Sequence, residues 1–262
     1  MKRHLVVLDI DGTLLRGRRT LSQYAAKTLH RLQEEGHIIV LASGRPIRAM
    51  MPFYKQAGLR SPIISYNGLL VSNPFDDSFI PYRRAFEREV IESIRQEAKP
   101  LLSAFMAESE TCIYADKKDF GLARYFPYHG IDAVIGDKEV KEDTYTCLFR
   151  CGRSKVSELK AIVESHKGYN YRHWTSAEYS EICFPDADKG AALLYLMKAL
   201  CIEKEDVIAI GDSDNDLAML EAAGQAFVVK DCKAKRLLSL FPSTERKGED
   251  GAVRMLEKLL SD

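Results

Sequence analysis

The chain has 262 residues, its 38 lysines and arginines balance 38 aspartates and glutamates, and 46% of its residues are hydrophobic. This length allows one large domain or two smaller ones, and the balanced charge argues against a broad basic surface for nucleic acid or for a membrane surface. Because no apolar run is long enough to cross a bilayer and the six cysteines lack metal-binding spacing, we expect a cytoplasmic protein with reduced cysteines.

The first part of the chain alternates between strand-like and helix-like segments. An apolar run over residues 4–8 stops at Asp9, which makes it too short for a signal-peptide core and typical of a buried strand. Apolar residues at intervals of three or four predict a helix over residues 20–35, with Gly36 at its end. A strand over 37–42, a helix over about 46–58 and a strand over 62–65 follow. Such alternation indicates βαβ units and a parallel sheet.

The pattern changes between residues 83 and 185, where paired strands stand between helices. We expect helices there over residues 87–98, 120–128 and 154–166, and strands over 103–107, 111–115, 144–150, 171–174 and 180–184. Helix–strand alternation resumes over residues 189–200, 207–210, 217–223, 226–229 and 251–260. The sequence therefore predicts an α/β fold, with a Rossmann-like, doubly wound, mostly parallel core over 1–82 and 186–262 and an inserted α+β domain over 83–185.

Two aspartates follow the first predicted strand in the string Asp9-Ile10-Asp11-Gly12-Thr13. Side chains two residues apart on extended backbone point the same way, so both carboxylates can reach one site. Ligands of open α/β sheets bind beyond the carboxyl ends of the strands, which is where this pair lies. Solvated loop acids are the alternative interpretation of an isolated Asp-x-Asp pair.

A second acidic segment, residues 211–216, follows the predicted strand 207–210. Its spacing resembles a calcium loop, but Leu217 and Ala223 stand where an EF-hand needs Gly and Glu, so an EF-hand is excluded. A solvated acidic helix start is another interpretation. The functional interpretation is a site for a hard cation such as Mg²⁺, with oxygen ligands from two strand ends.

Two shorter segments also have both an ordinary and a functional interpretation. Ser43-Gly44-Arg45 ends a strand before a helix, where the hydroxyl and backbone N–H groups suit a phosphate oxygen, although Ser43 could be a plain N-cap. Lys189 opens a helix, where a cation gains nothing from the helix dipole. A lysine on an amphipathic helix is usually solvated, but this one stands where the chain returns from the insertion.

Taken in order, these four segments resemble the motifs of the haloacid dehalogenase-like phosphohydrolase superfamily. Residues 9–13 match its first motif, Ser43 its second, Lys189 its third and residues 211–216 its fourth. The insertion between the second and third motifs resembles the Cof-like subfamily with a cap of type C2, subtype C2B. Residues 227–232 depart from the pattern, since relatives usually carry a Gly-Asn-containing loop there.

The resemblance implies a phosphatase for small phosphorylated metabolites, such as sugar phosphates, with Mg²⁺ as cofactor. Asp9 would be the nucleophile that forms an aspartyl-phosphate, and Asp11 would be the general acid and base. The Asp9 carboxylate, the Asp11 carbonyl and Asp212 would bind Mg²⁺. Ser43 and Lys189 would hold the phosphoryl oxygens.

The resemblance also assigns roles around these groups and leaves alternatives open. Gly44, Arg45 and Asn215 would contact the substrate, and Thr13 and Asp216 would support the site, the latter by orienting the motif-three lysine or metal-bound water. A phosphomutase that uses the same aspartate is one alternative, and a non-catalytic module that binds Mg²⁺ or phosphate is another. No nucleic acid, membrane or obligate protein partner is expected.

Overall fold

The computed structural model describes residues 2–15, 20–119, 121–174, 178–232, 234–244 and 250–260. The chain divides into two compact units. One unit, called here the core unit, consists of Met1–Arg83 and Asp188–Asp262. The other, called the inserted unit, consists of Arg84–Ala187.

The described residues form thirteen strands and eight α-helices, joined in places by short 3₁₀ turns. The strands are β1 (Leu5–Asp9), β2 (Ile38–Ala42), β3 (Ile63–Ser65), β4 (Leu70–Ser72), β5 (Tyr82–Arg83), β6 (Leu102–Glu108), β7 (Cys112–Ala115), β8 (Asp132–Ile135), β9 (Thr146–Cys151), β10 (Asn170–His173), β11 (Tyr179–Cys183), β12 (Val207–Gly211) and β13 (Gln225–Val228). The helices are α1 (Gln23–Glu34), α2 (Ile47–Ala57), α3 (Arg88–Ala98), α4 (Val156–Ser165), α5 (Lys189–Leu200), α6 (Leu217–Ala222), α7 (Lys235–Leu240) and α8 (Gly251–Leu260).

The core unit is built on a seven-stranded sheet in the order β13-β12-β1-β2-β3-β4-β5. The strands from β13 to β3 are parallel, and β4 and β5 add an antiparallel edge. Every residue of β1, β2 and β12 is buried, as expected for near-continuous apolar strands with helices on both faces. The predicted fold class is confirmed. Because parallel strands end at one edge of a sheet, Asp9, Ser43 and Asp212 are brought to the same edge.

The helices of the core unit bury one apolar face each. In α1, Ser22 caps the N-terminus by accepting the N–H of Ala25, and Leu29 and Leu32 are fully buried. Burying a leucine side chain contributes about 1.5–3 kcal/mol, so this face fixes α1 on the sheet. Within the described part of the chain, every helix is too short or too polar to cross a membrane.

The inserted unit has a six-stranded sheet in the order β10-β11-β9-β6-β7-β8, antiparallel except between β7 and β8. Phe105 of β6 and Phe149 of β9 are paired across the sheet, with ring centroids 5.8 Å apart. The guanidinium of Arg95, on α3, lies 5.3 Å from the Phe105 ring centroid. Since α4 packs beside α3, both helices cover the face of the sheet that carries Phe105 and Phe149.

The structure corrects the expected helix over residues 120–128. Phe120 lies outside the described residues, and the remainder forms only a 3₁₀ turn, Leu122–Arg124. The Asp119 carboxylate accepts the N–H groups of Gly121 and Leu122, and Pro127 interrupts the segment soon afterwards. Strand β8 was not predicted from the sequence. It pairs with one strand at the edge of the sheet and most of its residues are exposed, so its sequence does not alternate between apolar and polar residues.

Candidate active site

The loop after β1 is shaped by Gly12, which adopts a positive φ of 99°. A Cβ atom at this position would lie 2.1 Å from Oδ2 of Asp212, much closer than any real contact. Glycine is therefore required both for the backbone conformation and for the approach of the β1 loop to the β12 loop. This close approach brings the first and fourth sequence motifs together.

Lys189 lies at the centre of the site, fully buried between two carboxylates. Its ammonium donates hydrogen bonds to Asp9 Oδ1 at 2.7 Å and to Asp216 Oδ1 at 2.6 Å. The start of α5 is fixed by Asp188, whose side chain accepts the N–H groups of Gly190 and Ala191. The capped start of α5 therefore holds Lys189 in a fixed position. A lysine in solvent would not need to be positioned in this way.

Asp216 connects this lysine to the loop after β12. Its second oxygen, Oδ2, accepts the backbone N–H groups of Asp212 at 2.9 Å and Ser213 at 3.1 Å. Asp216 is fully buried, so both of its oxygens need partners, and both have them. The residue holds the ammonium of Lys189 with one oxygen and the backbone of the acidic loop with the other.

Burial and neighbouring charges shift the pKa values of Asp9 and Lys189. Burial raises the pKa of Asp9 well above its ordinary value, and the charge of Asp216 raises it further, against the opposing effect of Lys189. Burial alone would lower the pKa of Lys189, but the carboxylates of Asp216 and Asp9 outweigh burial and raise it. The lysine is therefore charged, and the buried Asp9 beside it is harder to ionise than an ordinary aspartate.

Three carboxylates of the site lie close enough together to take part in binding a hard cation. One oxygen from each of Asp9, Asp212 and Asp216 lies within 4.8 Å of the others. Among the described residues, the ammonium of Lys189 is held by Asp9 and Asp216 of this group. Oδ2 of Asp9 is buried and accepts no hydrogen bond from any described residue. An oxygen-only donor set with this charge fits a divalent cation such as Mg²⁺.

Asp11 is directed away from that cluster and pairs with Arg45. The guanidinium donates Nε to Asp11 Oδ2 and Nη2 to Asp11 Oδ1, both at 2.7 Å, which is a bidentate ion pair. Ser43 is buried, and its hydroxyl accepts the N–H of Arg45 at 3.2 Å. The Asp11 side chain is 35% exposed, so this pair lies at the accessible side of the site.

Asn67 is a site residue that the sequence reasoning did not assign. It follows β3 with a positive φ of 56°, and its N–H donates to the Ser43 carbonyl. Its side-chain oxygen accepts Nδ2 of Asn215 at 2.9 Å, and a Cβ on Gly44 would come within 3.0 Å of its amide. The Asn67-Gly68 pair after a strand was the available signal, since asparagine tolerates this conformation.

Two further parts of the site are Thr13 and the atypical loop over residues 227–232. Thr13 is almost fully buried, and its hydroxyl makes no hydrogen bond with any described residue. Within the loop, the thiol of Cys232 donates to the carbonyl of Asp212 at 2.6 Å, and Val229 N–H donates to the carbonyl of Gly211. The loop therefore supports the backbone of the acidic segment.

Replacing Gly12 with alanine is expected to lower kcat/KM by about 10²-fold, because the new methyl group displaces the Asp212 carboxylate by about 1 Å or more. The matched control is Gly36→Ala, since Gly36 has a φ of 97° and open space around its Cβ position. Both variants should lose about 1–3 kcal/mol of stability from backbone strain. The proposed packing of Gly12 against Asp212 would be contradicted if Gly12→Ala had the kcat/KM of the wild type and the same stability as Gly36→Ala.

Comparison with known proteins identifies the family. A sequence profile for haloacid dehalogenase-like hydrolases matches residues 6–256. The chain therefore belongs to the haloacid dehalogenase-like hydrolase family, and the resemblance inferred from the four motifs is confirmed. The family is one of hydrolases, and the names of the curated relatives described next support an enzyme of the phosphomonoester phosphatase class.

The similar proteins cover the chain almost completely. It is 28% identical to 5-amino-6-(5-phospho-D-ribitylamino)uracil phosphatase YitU of Bacillus subtilis, over 99% of this chain and 98% of that protein. It is 26% identical to a phosphoglycolate phosphatase of Methanoculleus marisnigri, over 97% of this chain and 95% of that protein. A solved haloacid dehalogenase-like hydrolase from Bacteroides thetaiotaomicron shares the fold with a TM-score of 0.84 at 23% identity, covering 99% of this chain and 100% of that one.

Proposed function

We propose that the protein is a Mg²⁺-dependent phosphatase that hydrolyses small phosphorylated metabolites through an aspartyl-phosphate intermediate. The observation that carries this proposal is the environment of Asp9. One oxygen of this buried carboxylate is held by Lys189, and the other accepts no hydrogen bond from any described residue. A carboxylate that is fixed in position with an uncommitted oxygen suits nucleophilic attack.

In the first step, a carboxylate oxygen of Asp9 forms a bond to phosphorus while the bond from phosphorus to the ester oxygen breaks. Asp11 gives a proton to the leaving oxygen. In the second step, Asp11 takes a proton from a water molecule, which attacks phosphorus and releases inorganic phosphate and free Asp9. Lys189 holds its charge near the phosphoryl oxygens throughout, because it is fixed by Asp9 and Asp216.

The ion pair between Asp11 and Arg45 must loosen for these proton transfers. A phosphoryl group is a second partner for the Arg45 guanidinium, because it presents two oxygens in a bidentate arrangement. Substrate binding would draw Arg45 away from Asp11 and leave that carboxyl group free to move a proton. Ser43, which accepts the N–H of Arg45, and Asn215, which is held by Asn67, would complete the phosphate contacts.

Mg²⁺ would be held by the Asp9 carboxylate, the Asp11 carbonyl and Asp212. When bound, the cation supplies positive charge that offsets repulsion between the carboxylates and the substrate phosphate and opposes the raised pKa of Asp9. Thr13 would support the loop that carries Asp9 and Asp11. The inserted unit would act as a type C2B cap that selects the leaving group.

The names of the similar proteins support a small phosphorylated substrate but span different leaving groups. One is named for a phosphorylated ribitylaminouracil and another for phosphoglycolate. We therefore include both compounds in a panel of phosphomonoesters for this protein. Release of inorganic phosphate supports a phosphatase, formation of an isomeric phosphate ester indicates a phosphomutase, and binding without turnover indicates a non-catalytic module.

Removal of Mg²⁺ is expected to abolish turnover of the best compound in the panel, because nothing then offsets the repulsion between the carboxylate cluster and the substrate phosphate. The measurement is phosphate release before and after treatment with EDTA, followed by addition of excess Mg²⁺, which should restore the initial rate. Unchanged turnover after thorough chelation would overturn the metal dependence.

A further inference from the structure

Three consecutive residues after β3 adopt left-handed backbone conformations, and we call Tyr66, Asn67 and Gly68 the left-handed turn. Their φ angles are 49°, 56° and 99°. Glycine and, to a lesser extent, asparagine tolerate such angles, but a bulky tyrosine adopts them only at a cost in free energy. Backbone strain of this kind persists only where the surrounding structure fixes it, and it is concentrated at functional sites.

The left-handed turn contacts the second sequence motif through its backbone. The N–H of Tyr66 donates to the carbonyl of Arg45 at 3.1 Å, and the N–H of Asn67 donates to the carbonyl of Ser43 at 2.9 Å. The Asn67 carboxamide also packs on Gly44, since a Cβ atom added there would lie 3.0 Å from Nδ2 and 3.1 Å from Oδ1. The turn is therefore fixed against the residues that are expected to contact the phosphoryl oxygens.

The same turn contacts the start of α5, where the third motif lies. A Cβ atom on Gly68 would lie 2.1 Å from the carbonyl oxygen of Asp188 and 2.7 Å from the backbone nitrogen of Lys189. A residue without a side chain is required for this approach. The left-handed turn is thus packed against the third motif as well as the second.

Asn67 connects the turn to the fourth motif through its side chain. Its Oδ1 accepts a hydrogen bond from Nδ2 of Asn215 at 2.9 Å, and Oδ1 of Asn215 accepts the hydroxyl of Ser213 at 2.5 Å. Both ends of the Asn215 carboxamide therefore have a partner, which fixes the plane of the amide. An amide nitrogen carries two N–H groups, and Asn67 accepts one of them, so the direction of the second N–H follows from that of the first.

We propose that Asn67 is a positioning residue, which holds the Asn215 carboxamide so that its second N–H donates to the phosphoryl group of the substrate. The inference rests on the proposed phosphatase function and adds a residue that lies outside the four motifs. The backbone bonds of the left-handed turn to Ser43 and Arg45 fix the point from which the Asn67 side chain reaches Asn215. Because this contact forms when the phosphate binds and is kept during the reaction, its loss should weaken phosphate binding more than it slows the chemistry.

The first test is Asn67→Gly, which removes the side chain and keeps a residue that tolerates a positive φ, so the variant should fold. Binding of inorganic phosphate to the full-length protein with Mg²⁺ is measured by titration calorimetry. The dissociation constant should rise about tenfold, as expected for the loss of one hydrogen bond to a charged group. The matched control is Asn73→Gly, because Asn73 accepts the N–H of Phe75 in the loop after β4. The control should bind phosphate like the wild type, and the two variants should have similar midpoints of urea unfolding.

A double-mutant cycle separates positioning from a general defect. Asn215→Ala should raise the dissociation constant for phosphate about tenfold. Adding Asn67→Gly to it should change the constant by less than about twofold, because Asn67 acts through Asn215. Independent effects that multiply to about a hundredfold would overturn the positioning role. Wild-type affinity in Asn67→Gly, or a wild type that does not bind phosphate, would also overturn it.

Turnover provides a second readout, which a purely structural role would not change in the same way. With the best phosphomonoester of the panel, KM of Asn67→Gly should rise about tenfold, whereas kcat should change by less than about twofold. Wild-type KM in Asn67→Gly would overturn the role of Asn67 and leave the phosphatase intact. If the wild type hydrolyses no panel compound, the proposed function fails, and the phosphate titrations of the cycle alone decide whether Asn67 positions Asn215.

Discussion

Asp9→Asn should eliminate the covalent phosphoenzyme and lower turnover by roughly 10⁴–10⁶-fold, as expected for the loss of a nucleophile. Asparagine keeps the shape of the side chain and can still accept a hydrogen bond from Lys189, but its amide does not attack phosphorus. The measurement is acid-quenched incorporation of labelled phosphate into the protein, together with steady-state phosphate release. A fully folded variant is expected, because the substitution removes one of three clustered carboxylates.

Asp11→Asn is the matched comparison, since it changes the same functional group two residues away. This variant keeps the nucleophile and loses the proton transfer, so turnover should fall by about 10²–10⁴-fold. With a substrate that has a good leaving group, hydrolysis of the aspartyl-phosphate should be slowed more than its formation, so phosphoenzyme should accumulate. Wild-type phosphate incorporation by Asp9→Asn would show that another residue is the nucleophile.

The position of the site was predictable because apolar strands end abruptly at polar residues. The runs before Asp9, Ser43 and Gly211 contain five residues or fewer, and each is followed by a loop with chemistry-bearing side chains. In a parallel sheet these ends share one edge, and β1 lies between β2 and β12. Strand pairing thus brings together segments that are far apart in sequence.

Contacts between loops could not be predicted in the same way. Residue pattern and family resemblance indicated Asp11, Arg45 and Asn215, but the bidentate pair of Arg45 with Asp11 and the bond from Asn215 to Asn67 depend on loop conformation. Asn67 has a left-handed backbone conformation, and the hydrophobic periodicity of a sequence does not reveal such a conformation. The same limit applies to the 3₁₀ turn after Asp119, where a side-chain cap outweighs helical spacing.

The burial of Lys189 also differs from what its residue type suggests. Its helix, α5, opens with a residue that a sequence pattern would place in solvent, yet the ammonium is fully enclosed by Asp9 and Asp216. Burial of such an ion pair contributes little net stability, because desolvation offsets the attraction. Removing only the ammonium of Lys189 has a different effect, since the carboxylates of Asp9 and Asp216 are then left buried and facing each other without compensation.

Lys189→Met should therefore lower the free energy of unfolding of the metal-free protein by roughly 3–5 kcal/mol near neutral pH. Methionine retains much of the apolar volume, so the loss reflects charge more than a cavity. Lys198→Met is the matched control on the same helix, because Lys198 is exposed and its replacement should change stability by less than about 0.5 kcal/mol. Urea unfolding in EDTA measures both variants, and kcat of Lys189→Met with Mg²⁺ should fall about 10²–10³-fold.

The pH dependence separates the loss of charge from a packing defect. Burial already raises the pKa of Asp9, and removing the ammonium raises it further, so folded Lys189→Met binds a proton that the unfolded chain has released near neutral pH. A carboxyl group with a raised folded pKa favours the folded state at low pH and loses this contribution as pH rises. The stability deficit of Lys189→Met relative to the wild type should therefore shrink between about pH 7 and about pH 5. A deficit that stays constant over this range would indicate lost packing and would contradict the electrostatic role of Lys189.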